Sequence, residues 1–179
     1  MKTKKRKNQK DAEKHVIRNL FPLYNACMDN AHDLLDEARL LYSNKYYQRS
    51  FFLALTAYEE IGKAQITADY INDLVSKEEF EKSFKAHDLK CAYNQRFIQI
   101  YKNGSSELIY NTNEMKEFIG KRMQSLYVEI KNNHQPSSPK DQIKPDDAKE
   151  MINLVEDMLN EIFNAYWLNQ RIGTKGLFK

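Results

Sequence analysis

The chain has 179 residues, 41% hydrophobic and 30% charged, with 28 Lys and Arg against 25 Asp and Glu. That is one domain's worth of sequence, and five Gly, four Pro and four Val argue against turn-rich β-sandwiches and collagenous or low-complexity chains. The longest wholly apolar run, Phe51 to Leu55, is far short of the ~20 residues that span a bilayer, and no apolar stretch follows the basic start as a signal peptide requires. Cys27 and Cys91 lie in separate segments and cannot build a disulfide framework, so a cytoplasmic, all-helical protein with no membrane contact is expected.

In chain order, residues 1–19 are expected to be a basic tail, disordered or loosely helical. Residues 1–10 alone hold six positive charges and no negative one, which leaves −3 on the body. Such a tail either adds non-specific affinity for nucleic acid or only aids solubility. Residues 20–170 are expected to form a single helical-bundle domain, and residues 171–179 a frayed basic end.

Apolar residues recur at steps of three and four from Leu23 onward, and no Pro interrupts before Gln135, a pattern of amphipathic helices rather than strands. The spacing predicts five. The first spans about 22–42, with Pro22 at its start and Cys27, Ala31, Leu34, Leu35, Ala38 and Leu41 as its buried stripe. Ser43-Asn44-Lys45 turns the chain into a long apolar helix over about 46–75, the central one, with Phe51, Ala54, Tyr58, Ile61, Ala68 and Ile71 inward. Ser76 and Glu79 form a capping box opening a third helix that runs to about Lys102 and ends at Gly104. Five positive charges against one negative over residues 82–102 make it a basic ridge. A fourth helix over about 113–131 turns Met115, Phe118, Ile119, Met123, Leu126 and Ile130 inward, and residues 132–145 form a loop. Asp146 and Asp147 open the last helix, whose core residues are Ile152, Val155, Leu159, Ile162, Phe163 and Tyr166.

The stretch Tyr58-Glu59-Glu60-Ile61-Gly62-Lys63-Ala64 carries the most chemistry. Gly inside a helix costs about 1 kcal/mol against Ala, so Gly62 implies that a neighbour approaches closely. At 100° per residue Glu60 falls among small residues, Thr56, Ala57, Ala64 and Thr67, and is expected to meet an Arg, Lys or His from another helix. Glu59 and Lys63 are spaced for an ordinary i,i+4 helix pair or for ligand binding.

Two clusters offer partners for Glu60. His87, Lys90, Cys91 and Asn94 share one helical face, where His87 is either a packed histidine or one that moves a proton or contacts phosphate. His87 and Cys91 are two mixed ligands and fall short of a closed metal site, so neither metal nor cofactor is expected. Lys121 and Arg122 lie six and five residues before Tyr127, and Arg122 is either a bidentate contact to phosphate or carboxylate or a solvent-facing side chain. The candidates are thus Glu60, His87, Arg122 and Tyr127 for catalysis, and Glu59, Lys63, Lys90, Asn94 and Lys121 for binding. A di-iron carboxylate bundle would need paired Glu-x-x-His motifs, and only Asp29-x-x-His32 comes near.

At these residues the chain resembles the AbiV family of bacterial abortive-infection proteins, a branch of the HEPN superfamily. The resemblance rests on Asn25-Ala26 and residues 31–41, on Tyr46-Tyr47-Gln48-Arg49-Ser50 leading to Ala57-Tyr58-Glu59-Glu60-Ile61-Gly62-Lys63-Ala64, on His87-Asp88-Leu89-Lys90, and on Lys121-Arg122-Met123-Gln124-Ser125-Leu126-Tyr127-Val128. It implies an antiparallel up-and-down bundle, commonly a homodimer, that halts growth or translation in the phage-infected cell. Many HEPN proteins are metal-independent ribonucleases in which an Arg precedes a His by four to six residues at the dimer interface. None of His15, His32, His87 and His134 follows an Arg at that spacing, and the nearest equivalent is Arg122 with Tyr127. Two functions are therefore expected as alternatives. One is a phage-triggered protein acting on RNA or a ribosome-associated target; the other is a non-catalytic helical interaction module that binds a phage or host protein.

Overall fold

The computed structural model describes residues 20–94, 97–100, 106–109, 115–131 and 134–167, and it begins with the expected helix, α1 (Phe21–Ser43). Pro22 occupies the first turn, where its missing N–H leaves nothing unsatisfied, and Tyr24, Cys27, Ala31, Leu35 and Ala38 form the buried stripe. The helix closes where Lys45 takes a left-handed conformation (φ 65°) and Tyr46 N–H returns to the Leu41 carbonyl at 2.9 Å.

The reversed chain is α2 (Tyr47–Ile71), packed along α1 through residues with little side chain. Ala31, Ala38, Ala54 and Ala57 are fully buried, and the Ser50 hydroxyl donates to the Ala38 carbonyl across the contact at 2.8 Å. The main core joins these helices to α7 (Pro145–Trp167), with Leu35, Phe51, Leu55, Tyr58 and Ile61 meeting Met151, Val155 and Leu159. Burying each such large side chain contributes about 1.5–3 kcal/mol. As expected, α2 is the central helix; it is buried on almost every side, polar residues Gln48, Glu59, Glu60, Gln65 and Asp69 included.

The third predicted helix is broken. Ser76 does cap α3 (Lys77–Lys85), accepting Glu79 N–H at 3.1 Å, but Ala86 is extended (φ −82°, ψ 125°) and a separate α4 (His87–Tyr93) turns back. The Tyr93 hydroxyl reaches the Glu79 carboxylate at 3.3 Å; on one continuous helix those residues would stand about 21 Å apart. Folding back buries Tyr93 with Ile66 and Val75, worth about 1.5–3 kcal/mol, which exceeds the one or two helix hydrogen bonds given up at Ala86 at about 0.5–1.5 kcal/mol each. The basic ridge is correspondingly dissolved: Lys82 and Lys85 are exposed, Lys90 is buried, and Arg96, Lys102 and Gly104 lie outside the described residues. A hairpin of β1 (Phe97–Ile100) and β2 (Ser106–Ile109) follows, Phe97 opposite Ile109.

The fourth helix, α5 (Met115–Gln124), stops short of Lys131. The Ser125 hydroxyl donates to the Arg122 carbonyl at 2.6 Å, and β3 (Glu129–Ile130) then pairs with β4 (Pro136–Ser137). Met123 and Ile130, expected inward, are 51% and 77% exposed, whereas Ile119 does pack on the core. The expected 132–145 loop also contains α6 (Pro139–Gln142), capped reciprocally by Ser138 and Asp141. In α7, Ile152, Val155, Leu159 and Ile162 are buried as expected, and Arg39 ties it to α1 through Glu156 at 2.8 Å. The side chains of Met115, Phe118, Phe163 and Tyr166, and both predicted tails, residues 1–19 and 171–179, lie outside the described part of the structure. Among the described residues no helix is long and apolar enough to cross a membrane.

Candidate functional site

Gly62 is the point on which the site is built. The carbonyl oxygen of Lys90 stands where a Cβ on Gly62 would be, 1.9 Å from that position, so only glycine lets α4 lie against α2 at this depth. Asn94 at the end of α4 holds the same contact, its amide donating to the Tyr58 carbonyl at 2.6 Å.

Glu59, one helical turn before Gly62, is on the side of α2 that α4 approaches, and its side chain is 4% exposed. An unpaired carboxylate at that depth would be costly. Three basic side chains from two other elements meet it instead. His87 Nδ1 lies 2.7 Å from Oε2, Lys90 Nζ 3.3 Å from the same oxygen, and Arg122 Nε 3.4 Å from Oε1. The Arg122 guanidinium also lies over the Phe52 ring, 5.3 Å from its centroid. Lys90 is nearly sealed, Arg122 is partly accessible and the His87 side chain is 47% exposed, so the cluster runs from a buried carboxylate to an open imidazole. With Lys90 and Arg122 charged against one Glu59, it is net positive even with His87 neutral, and suited to an anion at its mouth.

The two glutamates exchange the parts expected of them. Glu60, expected to find a cross-helix cation, pairs with Lys63 on its own helix at 2.5 Å and accepts the Cys27 thiol of α1. Lys63, expected to pair with Glu59, extends over the Phe84 ring instead, 5.6 Å from its centroid. Burial, and then the Glu60 charge, pushes the Cys27 thiol up to about 11. Cys91 is pushed up to about 12 by burial and next by Glu59, so both thiols stay protonated near neutral pH and neither is a nucleophile there. This also separates His87 from Cys91 as ligands, since Cys91 is fully buried while His87 is open. Asp29 and His32 are exposed on α1, away from any bundle interior, and among the described residues no three His, Cys, Asp or Glu gather for a metal.

Of the remaining candidates, Lys121 is not in the cluster but ion-pairs with Asp147 at 2.9 Å, joining α5 to α7. Burial acts to raise the Asp147 carboxyl, yet hydrogen bonds from Lys144 N–H and Lys121 outweigh it and hold the group below its ordinary value. Tyr127 is 57% exposed beyond the end of α5 and does not join the cluster. Asn94 positions α4 through its amide. Two parts of the cluster differ from the sequence expectation: Glu59, expected to pair with Lys63 or to bind a ligand, is the central carboxylate, and Phe52, not among the candidates, lies beneath Arg122. The signal for Glu59 was present: Gly62 marks the closely approached side of α2, and residues i and i+3 share a side.

A model of the family described as AbiV, of the HEPN group, matches residues 19–160, which include Glu59, His87, Lys90 and Arg122. Comparisons with curated proteins and with solved structures give no match.

Proposed function

We propose that this chain, which belongs to the AbiV family of HEPN abortive-infection proteins, arrests the infected cell by cleaving RNA in the cytoplasm at the Glu59 cluster. One observation carries the reading: His87, Lys90 and Arg122 converge on a single buried carboxylate although they are far apart in sequence. Contact of both His87 and Arg122 with Glu59 supports reading them as the Arg–His pair that no local spacing supplies.

The chemistry follows from the hydrogen bonds. With Nδ1–H donated to Glu59, the lone pair of His87 is on Nε2, on a ring half open to solvent. Nε2 takes the proton of a ribose 2′-hydroxyl, and the 2′-oxygen attacks the adjacent phosphorus. The 5′-oxygen leaves with a proton from water, giving a 2′,3′-cyclic phosphate and a 5′-hydroxyl. Arg122 stabilises the charge that builds on the phosphorane, while Glu59 and the buried Lys90 hold His87 and Arg122 in place.

His87→Ala is expected to lower cleavage of a single-stranded RNA by about 10²-fold, and Arg122→Ala to abolish phage-dependent growth arrest, with circular dichroism unchanged in both. Arrest that persists in both variants would remove the reading.

A different observation favours a protein partner. Met123, Tyr127, Val128 and Ile130 are 51%, 57%, 63% and 77% exposed and follow Arg122 along the chain, an unusual run of apolar surface. A second copy of the chain covering it makes a homodimer; a phage-encoded protein covering it makes a trigger. Light scattering should give a dimer mass that Val128→Asp with Ile130→Asp reduces to a monomer, at an unchanged melting temperature. A monomer mass for the unsubstituted protein would exclude the homodimer.

A further inference from the structure

A cleft of about 530 Å³ opens beside the cluster, at the start of α2 and against α6. Its walls include Tyr46, Gln48, Arg49, Phe52, Leu53 and Lys140. Phe52 belongs to both places, lining the cleft and carrying the Arg122 guanidinium. Cleft and cationic cluster are therefore neighbours across one ring.

Three features of this cleft offer themselves to a ligand. Gln48 is about nine-tenths buried at the cleft wall, and nothing among the described residues hydrogen-bonds its side chain, which leaves its amide for a group in the cleft. Arg49 and Lys140 are both exposed, come from separate elements, and form no ion pair among the described residues. Tyr46, 53% exposed, presents an aromatic side chain to the same space. An amide donor and acceptor, an aromatic and apolar wall, and two uncompensated cations match the parts of a nucleotide: base edge, base face and phosphate.

We infer that this cleft is a nucleotide subsite that seats one unit of a single-stranded RNA next to the Glu59 cluster, with Gln48 on the base edge, Tyr46 against the base and Arg49 and Lys140 on phosphate. The inference rests on the cleavage reading above and names how the strand is held. An acidic peptide would use the two cations but would leave the Gln48 amide and the flat apolar wall without a matching group.

The probe is a fluorescent 12-nucleotide single-stranded RNA with every 2′-hydroxyl methylated, which binds without being cut. Arg49→Ala with Lys140→Ala should weaken binding by about tenfold or more and make the slope of log affinity against log salt shallower by about 1.4, two phosphate contacts on a single strand. Tyr46→Ala should cost about tenfold through lost stacking, and Gln48→Leu should alter the ranking of oligonucleotides of different base. Melting temperatures of the Arg49 and Lys140 variants should be unchanged. Equal binding by all these variants overturns the subsite, even where His87→Ala still lowers cleavage. Adenosine monophosphate competing as strongly as the 12-mer, mole for mole, also overturns the assignment to a strand. Conversely, weakened binding in the cleft variants, together with arrest that survives His87→Ala and Arg122→Ala, supports the subsite while removing the cleavage reading.

Discussion

Glu59→Ala is expected to destabilise the protein by about 3–5 kcal/mol, because it leaves buried cations without their counter-charge. Lys90 bears most of this effect: its side chain is 7% exposed and its ammonium has Glu59 as its acid, whereas His87 and Arg122 can turn toward water. Cleavage should be lost with the same substitution, since the imidazole loses the acceptor that orients it. Urea unfolding measures the effect as a lower midpoint at constant slope. Glu59→Leu combined with Lys90→Met should recover much of the stability and none of the activity, since removing both members of a buried pair avoids the orphaned charge. A single Glu59→Ala variant within about 1 kcal/mol of the unsubstituted protein would mean that the carboxylate is not the anchor of the cluster.

Gly62→Ala tests the same site from the backbone. By helix propensity alone it should stabilise α2 by about 1 kcal/mol. Against that, the new Cβ would lie 1.9 Å from the Lys90 carbonyl oxygen and 2.7 Å from its carbon. Both are main-chain atoms that cannot turn aside, so α4 must retreat by about 1.5 Å to restore ordinary contact. That retreat lengthens the His87 and Lys90 bonds to Glu59 and the Asn94 bond to Tyr58 together. The balance is a net loss of about 1–3 kcal/mol, the usual range for overpacking, with activity lost as well. Gly120→Ala is the matched control. Gly120 is in α5 with nothing within 4 Å of its Cβ position, so the helix term stands alone and the variant should be neutral or slightly more stable. If Gly62→Ala behaves like Gly120→Ala in melting and in activity, the close approach of α4 is not what holds the site.

Both outcomes turn on features with unequal visibility in the sequence. The Pro22 start, the Ser43-Asn44-Lys45 reversal, the α1 stripe and the α7 stripe are local patterns, and local sterics and periodicity suffice to read them. Gly62 could be read as a close approach because a helical glycine is unfavourable unless something needs the space. Choosing between Glu59 and Glu60 could not be done from one stripe, since α2 is buried on almost every side and its faces meet different neighbours. The end of α5 was hidden for a related reason. A serine hydroxyl bonding back to the Arg122 carbonyl, and the pairing of two-residue strands, depend on where the chain beyond Gln124 lies in space.

By itself the sequence determined an all-helical protein of the AbiV family, its long central helix, and the Gly62 block as the place to look. Tertiary structure alone decided that Ala86 breaks a helix, that Lys90 leaves the surface for the interior, and that His87 and Arg122 share one carboxylate. The physical reason is that helix periodicity is set by neighbours four residues apart. The partner of a buried charge is set by which surfaces pack, and α4 reverses at Ala86 because burying Tyr93 against α2 outweighs one or two helical hydrogen bonds.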